Sequence, residues 1–303
     1  MRPRPLDFLD LPTLYHYRAE AVSLDSTRYL TRGNPLGAAG FLSYFNPSRH
    51  LYTAISQENG SHLLGGVLQN NQDSFARLIY LAPRENLRHE GLPTLVEHLC
   101  AEAGSWGAFH VIAETEDGSD AFPTLRMAGF SVYAWQRIWD VGHINSSGSV
   151  QEWVTTRSIN LPAVQSLYHQ IVPTLIQPVE VAPRYPIGMV TADSSRCYVK
   201  INYGLYGIVL TPIIHPETVG VAEKLASLLH HLPDRRGRPV YMCVRSYQAW
   251  LEPVIEELGG ISAPRQAVMV KHLTRVIKEE QTVRAAQPAG VSVQPSHVTQ
   301  NKP

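Results

Sequence analysis

The chain has 303 residues, 44% hydrophobic and 17% charged, with 26 basic against 26 acidic side chains and a pI near 7.2. That length suits two domains of ordinary size, and the balanced charge removes the long-range pull that nucleic acid or an anionic membrane surface would need. Three well-separated cysteines, no apolar run of membrane-spanning length and no apolar leader in MRPRPLDFLDLP predict a disulfide-free, cytoplasmic protein.

LDFLDLPTLYHYRAE opens the chain as strand then helix, with Pro12 in the first helical turn, where a missing N–H costs nothing. After the Gly/Pro-punctuated GNPLGAAGFLSYFNP come three strand-like runs, Leu51–Ser56, Leu63–Gln69 and Phe75–Ala82. The turn signals Glu58-Asn59-Gly60 and Asn70-Asn71-Gln72-Asp73 divide them into an antiparallel meander. A helix from about Gly91 to Ala103 follows, its apolar stripe running through Leu92, Leu95, Val96, Leu99 and Ala103. Next come a strand at Phe109–Ala113, a helix at Ala121–Ala128 with Gly129 as its C-cap, and a long strand at Phe130–Val141. GHINSSGSV reads as a linker.

The order of elements then recurs. Trp153–Thr156 is a strand and Leu161-Pro162 starts a helix, as Leu11-Pro12 does earlier. Strands at Cys197–Ile201 and Leu205–Ile213, a helix at Pro216–His231, a strand at Val240–Val244, a helix at Trp250–Leu258 and a strand at Ala267–His272 complete the second half. A shift of 130 residues lays Pro123 on Pro253, Leu125 on Ile255, Gly129 on Gly259, Gln136 on Gln266, Leu95 on Leu225 and Leu99 on Leu229. This agreement predicts an internal duplication: residues 1–142, a linker 143–150, residues 151–277, and a polar tail 278–303 expected to be disordered.

The segment FARLIYLAPRENLRHEGLPTLVEHL carries the chemistry. A strand runs into a loop bearing Arg84, Asn86, Arg88 and His89, and Gly91 opens a helix. A helix start offers unpaired N–H groups and partial positive charge, and arginines beside it add forked donors, a combination that suits a diphosphate. Strand, loop, then R-x-x-G-x-[GA] at a helix start resembles the acyl-CoA signature of the GNAT (Gcn5-related N-acetyltransferase) family. Here Arg88-His89-Glu90-Gly91-Leu92-Pro93 matches at Arg88 and Gly91, with proline at the sixth place. Gly129-Phe130 and the long strand after it resemble the family's closing elements.

The resemblance implies an α/β (α+β) protein of two tandem GNAT-like folds, each a mixed, mostly antiparallel sheet flanked by helices. It implies acetyl-CoA or another acyl-CoA as co-substrate and a small-molecule or peptide amine as acceptor; the neutral charge and the lack of a spanning apolar run argue against nucleic-acid and membrane partners. Backbone groups of Tyr80, Leu81 and Ala82 would pair with pantetheine, and Arg84, Arg88, His89, Glu90, Gly91, Leu92 and Pro93 would surround the diphosphate. Where the family carries its usual base and acid, this chain has Arg77 and Leu125, so Glu114 and Tyr133 are the catalytic candidates. The second half has no arginine in the equivalent loop, Ile214–Ala222, and is expected to be a degenerate copy that does not bind CoA. The alternative is a catalytically silent relative acting as a CoA-binding sensor or interaction module. Thirteen histidines form neither H-E-x-x-H nor H-x-H, so no metal site is expected.

Overall fold

A computed structural model describes residues 2–37, 49–58, 60–71, 73–144, 153–191 and 196–273. The expected linker from residue 145, the expected tail and most of the glycine-rich stretch after Gly37 lie outside them. The first half contains β1 (Arg4–Pro5), α1 (Leu11–His16), β2 (Val22–Ser23), α2 (Ser26–Arg32), β3 (Arg49–Glu58), β4 (Ser61–Asn70) and β5 (Phe75–Ala82). It continues with α3 (Leu92–Ser105), β6 (His110–Glu116), α4 (Ala121–Met127) and β7 (Ser131–Asp140). The second half contains β8 (Trp153–Thr155), α5 (Leu161–Ile171), β9 (Met189–Thr191), β10 (Cys197–Tyr203) and β11 (Ile208–Ile214). It ends with α6 (Val221–His230), β12 (Val240–Arg245), α7 (Leu251–Glu257), β13 (Ile261–Ser262) and β14 (Gln266–His272).

Local chemistry accounts for most of these elements. The stripe of α3 is buried against β3, β4 and β6, each leucine contributing about 1.5–3 kcal/mol on leaving water. Gly129, at φ 84°, closes α4 as the sequence predicts. Two boundaries move inward. The helix expected from Pro216 begins at Val221, because His215–Thr218 form a turn and Gly220 sits in the left-handed region at φ 68°. The strand expected from Leu205 begins at Ile208, because Gly204 and Gly207 close a hairpin tip. The short pair β2–α2 is an addition to the expected elements. Asp25 caps α2 by accepting the Arg28 N–H at 3.0 Å.

Among the described residues the strands form one sheet in the order β1-β3-β4-β5-β6-β14-β7-β12-β11-β10-β9-β8. The two halves exchange their last long strands. β14 of the second half pairs with β6 of the first, and β7 of the first half pairs with β12 of the second. The exchanged strands then pair with each other, and Gln136 stands directly opposite Gln266. These are the two glutamines that the 130-residue shift superimposes. A residue facing its own counterpart across an antiparallel pair lies on a local two-fold axis, as in an isologous interface.

Each half also covers the other's sheet. Leu30 of α2 packs on Ile138, Val209 and Cys243, while Val179 packs on Ile112, Ala134, Val268 and Val270. No helix among the described residues is long and apolar enough to cross a membrane.

Candidate functional site

The parallel strands β5 and β6 pair only over Phe75–Arg77 and His110–Ile112, then part. The cause is local. The β4–β5 ladder pairs Gly66 with Tyr80 and Val67 with Leu78, skipping Ile79. Such a bulge bends its strand and leaves a backbone group unpaired by the ladder. Gly66 permits the bend: a Cβ there would sit 2.5 Å from Cε1 of Tyr80.

The resulting gap holds residues 22–26 of the chain itself. Val22 pairs with Leu81 and Ser23 with Tyr80. Leu24 spans the opening: its N–H donates to the Ile79 carbonyl at 3.0 Å, and its carbonyl accepts from the Glu114 N–H at 2.8 Å. The Ser26 N–H then donates to Oε2 of Glu114 at 3.0 Å. Tyr80, Leu81 and Ala82 are buried, and the edge expected to receive pantetheine is paired with β2.

In the loop from Pro83 to Leu92, Arg84, Arg88 and Glu90 are exposed, while Pro83, Leu87 and Leu92 are buried beneath them. Its amides turn inward. Asn86, Leu87 and His89 donate to Pro83, Arg84 and Asn86 carbonyls, Leu92 donates to the His89 carbonyl, and Gly91 donates to His89 Nδ1 at 3.0 Å. Pro93 has no N–H to offer. The expected backbone cradle is therefore largely spent within the loop, and what the surface presents is side-chain charge. Arg88 is held by Asp120 at 2.6 Å.

The two catalytic candidates do come together, on the sheet face where the halves meet. Glu114 is 3% exposed and lies 3.4 Å from Arg77 and 3.8 Å from Arg245. Burial alone would push its carboxyl up; Arg245, Arg77 and the Ser26 N–H outweigh that and hold it below the usual range. Tyr133 donates to Glu180 Oε1 at 3.2 Å, and burial holds its hydroxyl well above the ordinary tyrosine range. Arg245 contacts Glu180 at 2.7 Å and donates to Oε1 of Gln136. Asp25 completes the cluster. Burial raises its carboxyl, and nearby Glu114 adds to the shift. Three carboxylates, Glu114, Glu180 and Asp25, thus share two guanidiniums, Arg77 and Arg245. Leu125 is fully buried in the first-half core, so the family's usual acid position is packing here.

Nothing local in the sequence marks Glu180 or Arg245, which reach the cluster from the second half. Asp25 before Ser-Thr-Arg is a helix N-cap signal, the one clue to the segment that fills the gap.

The second half repeats the divergence: β11 and β12 pair over Ile208–Leu210 and Val240–Met242 only. There the side-chain amide of Gln248 takes both backbone groups of Ile214, accepting at 2.9 Å and donating at 3.0 Å. Glu217, in the loop that follows, is exposed and 3.9 Å from Arg196.

This architecture, with a mostly antiparallel sheet parting between two parallel neighbours, is the GNAT acetyltransferase fold. A solved GCN5-related N-acetyltransferase of Sphaerobacter thermophilus superposes over 89% of this chain and 95% of its own, with TM-score 0.51 and 13% identity. A glucosamine N-acetyltransferase region in a fungal multidomain GH3 β-N-acetylglucosaminidase superposes over 89% of this chain and 38% of its own, with TM-score 0.52 and 10% identity. A tandem GNAT protein from the clavulanic acid pathway aligns over 89% and 98% with TM-score 0.49 and 12% identity. No family model and no curated protein sequence matches the chain.

Proposed function

We propose that the chain is an acyl-CoA-dependent acyltransferase whose donor enters between β5 and β6 and whose acceptor is an amine. The gap itself carries this reading. Its walls, the Ile79 carbonyl and the Glu114 N–H, bind an extended, amide-bearing chain, and Leu24 occupies it in that manner. The pantetheine arm of CoA is another extended chain with amide groups. Arg84, Arg88 and His89, on the loop leaving β5, would meet the diphosphate through their side chains. The N-acetyl transfer named for structures of this fold, one of them to glucosamine, supports an amine acceptor.

Residues 1–142 and 151–277 are then two copies of one unit, and the second supports the first instead of holding its own donor. Glu114, ion-paired and easily ionised, is a weak base, so positioning of thioester and amine carries the rate. Titration calorimetry with acetyl-CoA, joined to a CoA-thiol assay over a panel of primary amines, tests this. Saturable binding with amine-dependent thiol release is expected; loss of both overturns it.

The filled gap favours a second reading, a silent relative that binds partners through the same fold. Binding of acetyl-CoA without release by any amine is its signature.

A further inference from the structure

The segment in the gap is fastened from the other half of the molecule. Ser26 Oγ donates to Oε1 of Gln266 at 2.9 Å, and Nε2 of Gln136 donates to that same oxygen at 2.7 Å. Gln136 Oε1 in turn accepts from Arg245 and from Cys243 Sγ, the latter at 3.3 Å. Arg245 reaches Glu114, whose other oxygen holds the Ser26 N–H. Ser26 is thus gripped twice, by its hydroxyl from β14 and by its amide through a carboxylate that β12 helps to charge. These contacts sit where the exchanged strands cross, so they exist only when both halves are assembled.

We infer that the second half is a latch: Gln266 and Arg245 keep Val22–Ser26 in the gap of the first half, and freeing Ser26 opens that gap to an acyl-CoA. The latch rests on the donor-site reading for its purpose, though not for its existence. The bonds that Val22, Ser23 and Leu24 make within the gap are backbone bonds that any extended amide chain can replace. The Ser26 side-chain bond is specific to this segment and is absent from the competitor, so it sets the balance between the two occupants.

The test uses the full chain and three variants, Ser26→Ala, Gln266→Ala and the double substitution. Amide hydrogen exchange is read by mass spectrometry without ligand, and acetyl-CoA affinity by calorimetry. Loss of one such bond is expected to speed exchange of the Leu24 and Ser26 amides about fivefold in each single variant, with no further gain in the double. Exchange across β10 and β11 stays unchanged, which separates local opening from general loosening. Acetyl-CoA affinity rises by a similar factor. Unchanged exchange at residues 24 and 26, or effects that simply add in the double variant, overturns the latch. Faster exchange with no acetyl-CoA binding in any variant upholds the latch and sinks the acyltransferase reading instead.

Discussion

Glu114 and Asp25 sit in one cluster yet respond to pH with opposite signs. The Glu114 carboxyl is held below its ordinary value by Arg245 and Arg77, against the effect of burial. Its contribution to stability is therefore complete above the unfolded carboxylate range and is lost as pH falls through the folded value. Asp25 is raised by burial, so its contribution is complete in acid and is lost as pH rises through its folded value. Glu114→Gln is expected to cost about 3 kcal/mol at pH 7, since it leaves buried guanidiniums short of a partner, and the deficit narrows below about pH 4. Asp25→Asn keeps an oxygen for the Arg28 N–H while removing the third carboxylate, and is expected to be neutral or stabilising at pH 7. Urea unfolding at pH 7 and at about pH 3, below the ordinary carboxylate range, checks both. Equal penalties for Glu114→Gln at the two pH values would contradict the ionic account.

The elements show where sequence was informative and where it was not. Apolar runs bounded by turn signals placed β3 to β7, and a helical stripe placed α3, close to their observed bounds; β4 and β6 are buried on both faces over residues 63–69 and 110–115, so they read as continuous apolar runs and not as alternation. Arg77 and Glu114 were visible as residues but not as a pair, since their contact depends on the parallel β5–β6 register, which sets Arg77 beside Ile112 and which no local pattern announces. The loop expected to take a diphosphate resembles the family pattern at Arg88 and Gly91, yet its amides bond within the loop, an outcome set by backbone geometry after Pro83. The two-residue β2 is too short to carry any alternation. Gly66 is the position on which the bulge depends, because the Tyr80 ring is fully buried and its hydroxyl donates to Thr53 Oγ1 at 3.2 Å. Gly66→Ala is expected to destabilise by about 1–3 kcal/mol through overpacking, seen as a lowered Tm. An unchanged Tm would show that Tyr80 moves aside freely.

Across the whole molecule, the exchanged strands make the halves one folding unit in spite of their repeated order of elements. Without β14, the first half has β6 exposed at an edge, and β7 loses neighbours on both sides. Residues 1–144 alone are therefore expected to aggregate or to lack a cooperative melt, and to regain one when co-expressed with residues 145–303. A sharp, monomeric melt of the first fragment would contradict the exchange. The central claim is that one gap serves two occupants, the chain's own residues 22–26 and the arm of an acyl-CoA. Hydrogen exchange of the wild-type chain with and without saturating acetyl-CoA tests it most directly. The account predicts faster exchange at Leu24 and Ser26 with ligand, while Ile112 and Val268 in the adjoining sheet stay protected. Exchange at residues 22–26 that is unaltered, or slower, under saturation would contradict it.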